Sequence, residues 1–214
     1  MKTAVIAGYS GLIGSQLLSL LLAENTYRKV IAIGRRKLAL KHPKLIQEIV
    51  DFDNLQLVAN QVDDVFCCLG TTIKKAGSQE KFRLVDFQYP VNLANACLSR
   101  GAQKFLLVSS LGADENSAVF YNRVKGEVEK AVSQLGFTRI DILRPSLLLG
   151  HRDEFRLAES MGKLFMRGFG FLFFGPLKKY RAINSARVAR AMLRFANETD
   201  QGIFVHESDE LQQF

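Results

Sequence analysis

Tyr121 and Lys125 stand four residues apart in a stretch of helical spacing, Val119 to Leu135, and so share a face about one turn apart. A phenol and an ammonium placed this way can move a proton to and from a carbonyl oxygen. The cation eases loss of the phenol proton, and the phenol donates to a developing alkoxide or takes the proton back. Ser109 and Ser110 close an apolar run, Phe105 to Val108, just upstream. A hydroxyl there can hold the carbonyl oxygen and stabilise its growing charge, and either serine could serve. Tyr9, Tyr27, Tyr89 and Tyr180 have no lysine at this spacing. The alternative for the pair is an amphipathic helix with a half-buried tyrosine and a solvated lysine.

A second constellation lies at the start of the chain. Ala4 to Ala7 is followed by Gly8-Tyr-Ser-Gly11-Leu-Ile-Gly14 and then by Leu17, Leu18, Leu20, Leu21 and Leu22. Gly8 suits a tight turn, Gly11 lets a pyrophosphate approach the main chain, and Gly14 lets a helix pack against a strand. The amides at the helix start, with the positive end of its dipole, then hold the anion. About 20 residues further on, where an acidic residue would select NAD, stand Arg35 and Arg36. Two guanidiniums match the oxygens of a 2′-phosphate and favour NADP; otherwise they are a solvated basic pair. Asp51 and Phe52 can flank an adenine, and Leu69, Gly70, Thr71 and Thr72 can pass beneath the adenosine ribose, although ordinary loop packing explains both segments nearly as well.

These residues need a scaffold that brings strand ends together. Short β-type runs at Ala4 to Ala7, Val30 to Ile33, Ile49 to Val50, Val65 to Leu69, Phe105 to Val108 and Ile140 to Leu143 alternate with helical stretches at Gly14 to Glu24, Glu80 to Arg100 and Val119 to Leu135. Strands apolar on both faces and separated by helices predict an α/β fold: a Rossmann-like, doubly wound parallel sheet with helices on both faces. Ligands of such sheets bind beyond the carboxyl ends of the strands. Asn184 to Ala196 has helical spacing, and Gly202 to Val205 reads as a further strand. With 214 residues and no Pro/Ser linker or repeat, one domain is expected, residues 1–145 holding the cofactor and 146–214 facing the substrate as a lid.

The segments GYSGLIG, IGRRKL, VDF, CCLGTT, LVSSLGAD, FYNRVKGEVE and LRPSLLLG, spread over residues 8–150, together resemble the short-chain dehydrogenase/reductase superfamily. The resemblance is to its atypical branch, nearest the Tat-interacting-protein type of oxidoreductase. It implies NADPH held by Ser10, Gly11, Leu12 and Ile13, with Arg35 and Arg36 at the 2′-phosphate and contacts from Leu69 and Gly70. Tyr121 is then the proton donor and acceptor beside Lys125, and the extended-family pattern favours Ser110 over Ser109. It also implies that the Ser146 to Leu149 loop walls the nicotinamide, with Leu148 touching it, and that Arg156 closes over the phosphates. The turn departs from the Gly-x-x-x-Gly-x-Gly of ordinary members, and some atypical members bind NADPH yet act as sensors or assembly factors.

Composition bounds what remains. Apolar residues make up 48% and charged residues 23%, which excludes wholesale disorder, and the net charge of +8 permits anionic partners without choosing one. Cys67, Cys68 and Cys97 lack the spacing of a disulfide framework or zinc ribbon, and His42, His151 and His206 have no metal-ligand spacing, so no metal is expected. Thr3 to Ala7 is too short for a secretory signal and no run approaches the roughly 20 apolar residues of a membrane span, which points to the cytoplasm. Residues 161–180 interleave Phe and Leu with Lys163, Arg167, Lys178 and Lys179, and suit a lid, a dimer contact or a membrane surface or lipid. Dispersed arginines without a recognition motif argue against nucleic acid. The expected protein is a monomeric or homodimeric NADPH-dependent oxidoreductase acting on a small carbonyl or alcohol. Its rival is an NADPH-binding sensor that docks a protein or membrane through the Phe-rich segment.

Overall fold

The central strands are apolar on both sides because both sides are covered. In the computed structural model, which describes residues 1–150 and 180–214, β1 (Lys2–Ala7) lies between β2 (Tyr27–Gly34) and β4 (Asp64–Cys67). Ile6 faces Ala32 on one side and Phe66 on the other, and all three are fully buried. Beyond β2 lies β3 (Leu45–Ile49); beyond β4 come β5 (Lys104–Val108), β6 (Arg139–Arg144) and β9 (Gly202–Glu207). The order β3-β2-β1-β4-β5-β6-β9 is parallel throughout. Strand order reverses between β1 and β4, so the ligand crevice of this sheet opens at their carboxyl ends.

One face carries α1 (Leu12–Ala23) and α6 (Ser185–Ala196), packed through Leu17, Leu18, Leu21, Val188 and Met192 onto Ile6, Phe66 and Leu106. The other carries α4 (Tyr89–Leu98) and α5 (Phe120–Ser133), whose Leu93, Cys97, Val128 and Val132 meet Val5, Val65, Phe105 and Ile142. Each fully buried Leu, Ile or Phe here contributes about 1.5–3 kcal/mol. Asn184 starts α6 by accepting a hydrogen bond from the Ala186 amide at 2.9 Å. Leu148–Leu149 (β7) and Ile183–Asn184 (β8) form a separate two-stranded parallel ladder. The helix α7 (Ser208–Leu211) follows β9.

Two expected elements differ. The strand expected at Ile49–Val50 is β3, Leu45–Ile49, an edge strand whose Ile46 and Ile49 are exposed and whose Gln47 and Glu48 break the apolar run. The helix expected over Glu80–Arg100 is α3 (Gln79–Arg83), a π-helical turn over Leu84–Gln88, and α4, preceded by the short α2 (Ile73–Ala76). Among the described residues no helix is long and apolar enough to cross a membrane, and no group of His, Cys, Asp and Glu could hold a metal ion.

Candidate active site

The glycine turn is built by contact. Gly8 has φ +81°, and a Cβ there would lie 2.3 Å from the Cys68 carbonyl oxygen, so the β1–α1 turn presses directly on the chain leaving β4. At Gly14 a Cβ would meet the Gly8 oxygen at 2.2 Å, which fixes how closely α1 approaches the turn. Gly11 is different: a Cβ there would come no nearer than 3.2 Å to the Gly8 oxygen. The main chain is therefore approachable at this position. Gly11 caps α1 without a side-chain hydrogen bond, and no acidic residue occupies the first turn. The amides of Leu12, Ile13 and Gly14, beside the exposed Ser10, suit the pyrophosphate of a dinucleotide.

Arg35 and Arg36 leave β2 exposed to solvent at the same edge. The phenol of Tyr9, a turn residue given no role by the sequence, donates a hydrogen bond to the Arg36 carbonyl. Its ring also fills the space over Gly34, where a Cβ would come within 2.9 Å. Burial raises the Tyr9 phenol, against the pull of Arg36, so it remains a protonated donor. Asp51 is exposed and accepts from the Asp53 amide at 3.0 Å. Phe52 is only 5% exposed and stacks on Tyr89 with ring centroids 5.2 Å apart. Its carbonyl accepts from Asn92 Nδ2 at 2.8 Å, which ties the end of β3 to α4.

Tyr121 and Lys125 both lie on α5, as their spacing requires, and Tyr121 packs on Phe82 at 5.5 Å. Lys125 is 5% exposed and its Nζ lies 2.7 Å from Oδ1 of Asp86, a buried carboxylate on the π-helical turn. Asp86 Oδ2 accepts from the Thr71 amide at 2.9 Å. A Cβ on Gly70 would lie 3.5 Å from Asp86 and 3.9 Å from Lys125, so the Leu69-Gly70-Thr71 segment lies against the ion pair. Burial opposes the charge on Lys125, but Asp86 and then Tyr121 outweigh it and hold the ammonium above its ordinary range. Sequence reasoning missed Asp86, which reads as one acidic residue in a long helical stretch; it shares the buried face of that stretch with Phe82 and Pro90.

The two serines separate. Ser109 donates its hydroxyl to Glu129 Oε1, and Glu129 is held by Arg144 at 3.1 and 2.5 Å. Arg144 reaches on to Glu207 at 3.2 Å. Ser110 Oγ is buried without a hydrogen-bond partner among the described residues. Glu129 and Gly126 were also missed. A Cβ on Gly126 would lie 2.1 Å from the Glu115 amide nitrogen, so α5 presses on the loop that follows the serines. A glycine inside an otherwise good helix was the available signal for that contact.

Leu148 packs partly buried on the core face of α1 and α6, and a Cβ on the neighbouring Gly150 would come within 2.8 Å of the Leu12 side chain. The loop after β6 is thus drawn over the start of α1. Arg156, His151 and nearly all of the segment 161–180 lie outside the described residues. Burial pushes the Cys67 thiol up to about 12 and those of Cys68 and Cys97 upward as well, which leaves them as unreactive packing groups.

A parallel sheet with a glycine turn at its switch point defines a dinucleotide-binding protein of the Rossmann class. The NAD dependent epimerase/dehydratase family matches residues 4–202, and the chain belongs to that family, within the short-chain dehydrogenase/reductase superfamily. It is 41% identical over 198 residues to protein HTATIP2 of Rattus norvegicus, covering 90% of this chain and 80% of that one. It is 31% identical over 206 residues to the mitochondrial protein FMP52 of Coccidioides immitis, covering 89% and 84%. Among solved structures it superposes on MoeE5 in complex with UDP-glucuronic acid and NAD, with TM-score 0.70, 20% identity and coverage of 95% and 75%. It also superposes on human epimerase family protein SDR39U1 with NADPH, with TM-score 0.64, 17% identity and coverage of 96% and 74%. At those identities the two structures speak for the fold.

Proposed function

We propose that the protein is an NADP-dependent oxidoreductase that interconverts a small carbonyl compound and its alcohol, with Tyr121 as the acid/base. The observation that carries this reading is the buried Lys125, one turn from Tyr121 and close to Gly70 near the carboxyl end of β4. NADP(H), when bound, supplies or accepts the hydride. Ser10, Gly11 and the amides of Leu12, Ile13 and Gly14 would hold the pyrophosphate, with Gly8 shaping the turn. Arg35 and Arg36 would hold the 2′-phosphate. No acidic residue occurs from Ile33 to Gln47 to repel it.

Leu69, Gly70 and Thr71 would lie under a ribose, and Lys125 would bind the nicotinamide ribose. Asp51 would flank the adenine side, with Phe52 contributing through its backbone and its stack on Tyr89. Leu148 would wall the nicotinamide, and Arg156 would close over the phosphates. Ser110 holds the substrate oxygen in this scheme, because its hydroxyl is uncommitted while that of Ser109 is bound to Glu129. Tyr121 then protonates that oxygen during reduction and takes the proton back during oxidation. Of the stretch 146–214, residues 146–150 would face the substrate; α6 and β9 belong instead to the core and the central sheet. A cytoplasmic location belongs to the same proposal; fungal relatives carry "mitochondrial" in their names, and cell fractionation decides the point.

The test is bound-NADPH fluorescence titrated against NADH, with wild type and Tyr121→Phe screened side by side for cofactor consumption over a carbonyl panel. Preference for NADPH with Tyr121-dependent consumption is the expected result. NADPH affinity lost in Tyr121→Phe with turnover kept would overturn the role of Tyr121. Tight binding without consumption would favour a sensor.

A further inference from the structure

Lys125 does not face Tyr121 as a bare cation. Its Nζ lies 2.7 Å from Asp86 Oδ1, and the two side chains are 6% and 1% exposed. The other carboxylate oxygen is fixed by the Thr71 amide at 2.9 Å, so Asp86 is braced from the chain leaving β4 as well as from its own π-helical turn. A negative charge in contact with a cation offsets much of the field that the cation presents to a third group nearby. We propose that Asp86 is a positioning residue that cancels the charge of Lys125 and so sets the pH at which Tyr121 exchanges its proton.

The groups facing the pair from each packed element support this assignment. On β4 the nearest titratable group is the Cys67 thiol, which burial keeps protonated. On α3, Arg83 is paired with Glu127 of α5 and sits over Phe87. Ser109 and Ser110 follow β5, the buried Glu129 on α5 is taken up by Ser109 and Arg144, and α4 carries no charged side chain. Among the described residues, Asp86 therefore supplies the negative charge that Lys125 meets.

The sign follows from the charge count. With Asp86 present, loss of one proton from the Tyr121–Lys125 pair takes the cluster from neutral to negative. With Asn in its place, the same loss takes it from positive to neutral. The second change is easier in a buried site, whichever of the two groups releases the proton. The inference rests on Tyr121 as the acid/base, but it can be tested without turnover.

The experiment is an ultraviolet titration of phenolate absorbance in the protein without added cofactor, each variant read as the difference from its own Tyr121→Phe counterpart. In Asp86→Asn the Tyr121 signal is expected to titrate lower by about one pH unit or more; an unchanged titration overturns the proposal. Should Asp86→Asn fail to fold, Asp86→Asn/Lys125→Met removes one charge of each sign and leaves none buried alone. That double variant is expected to titrate near wild type. A rise of about a unit would mean that Asp86 never neutralised the lysine. The pH–rate profile of Asp86→Asn should move to lower pH in parallel. A shifted phenolate titration in a protein that turns over no carbonyl would sink the catalytic reading and leave the charge assignment standing.

Discussion

Ser109 gives its hydroxyl hydrogen to Glu129, a carboxylate 6% exposed and already gripped by Arg144. That bond anchors the end of β5 to α5, while the hydroxyl of the next residue, Ser110, has no hydrogen-bond partner among the described residues. The two hydroxyls should therefore fail differently. Ser110→Ala is expected to lower turnover by about 10²–10³-fold with little change in the unfolding midpoint. Ser109→Ala is expected to cost about 1–3 kcal/mol in chemical denaturation, because Glu129 loses a buried partner. Steady-state kinetics and urea melts on both variants check this, and the reverse pattern would exchange their roles.

Tyr9 lies at the base of the arginine pair. Its phenol holds the Arg36 carbonyl while its ring covers Gly34, so it sets where the two guanidiniums start. Tyr9→Phe is expected to weaken NADPH by about 3- to 10-fold and to leave NADH nearly unaffected. Arg35→Ala/Arg36→Ala should show the same selectivity on a larger scale. If NADH binding falls equally in both variants, the arginines do not read the extra phosphate.

Gly126 tests the contact between helix and loop. A methyl group there would overlap the backbone of Asp114 and Glu115, and neither atom belongs to a flexible side-chain end. Gly126→Ala should destabilise the fold by about 1–3 kcal/mol despite its better helix propensity. A neutral or raised melting temperature would show that the loop yields without cost.

His206 makes stability depend on pH. Its ring nitrogens lie 2.9 Å from Asp141 and 2.9 Å from Glu210, and it stacks on Phe195 at 3.7 Å. Burial disfavours the imidazolium, but the hydrogen bonds to Asp141 and Glu210 overcome it and raise the pKa above the ordinary 6.5. The folded chain thus keeps a proton that the unfolded chain has released. This contribution is complete below the unfolded value and is lost as pH rises through the folded one. Denaturation midpoints measured from about pH 6 to about pH 8 should fall, and His206→Gln should flatten that slope. An equal slope in the variant would assign the pH dependence elsewhere.

The sheet was legible because β1, β2, β4 and β5 carry unbroken apolar runs and β6 is interrupted only by Asp141, a pattern that few other arrangements produce. β3 was misplaced for the opposite reason: at an edge, Gln47 and Glu48 are tolerated. The glycine turn and the Tyr121–Lys125 spacing were readable because each depends on residues near in sequence. Asp86, Glu129 and Tyr9 were not. Asp86 meets Lys125 only where two separate helices pack together, and Glu129 meets Ser109 across a gap of 20 residues. Phe52 was read as an edge for adenine; its stack on Tyr89 depends on α4, which periodicity could outline but not dock.

The last lateral pairing of the sheet joins β6 to β9, residue 144 to residue 207. Asp141, fully buried in β6, is met by Arg139 within its own strand and by His206 only once β9 has docked. During synthesis the β6 edge therefore waits, unpaired and with a half-satisfied carboxylate, until some sixty further residues have been made. A nascent chain stalled in that interval would expose a bare strand edge, the feature chaperones and neighbouring chains most readily seize.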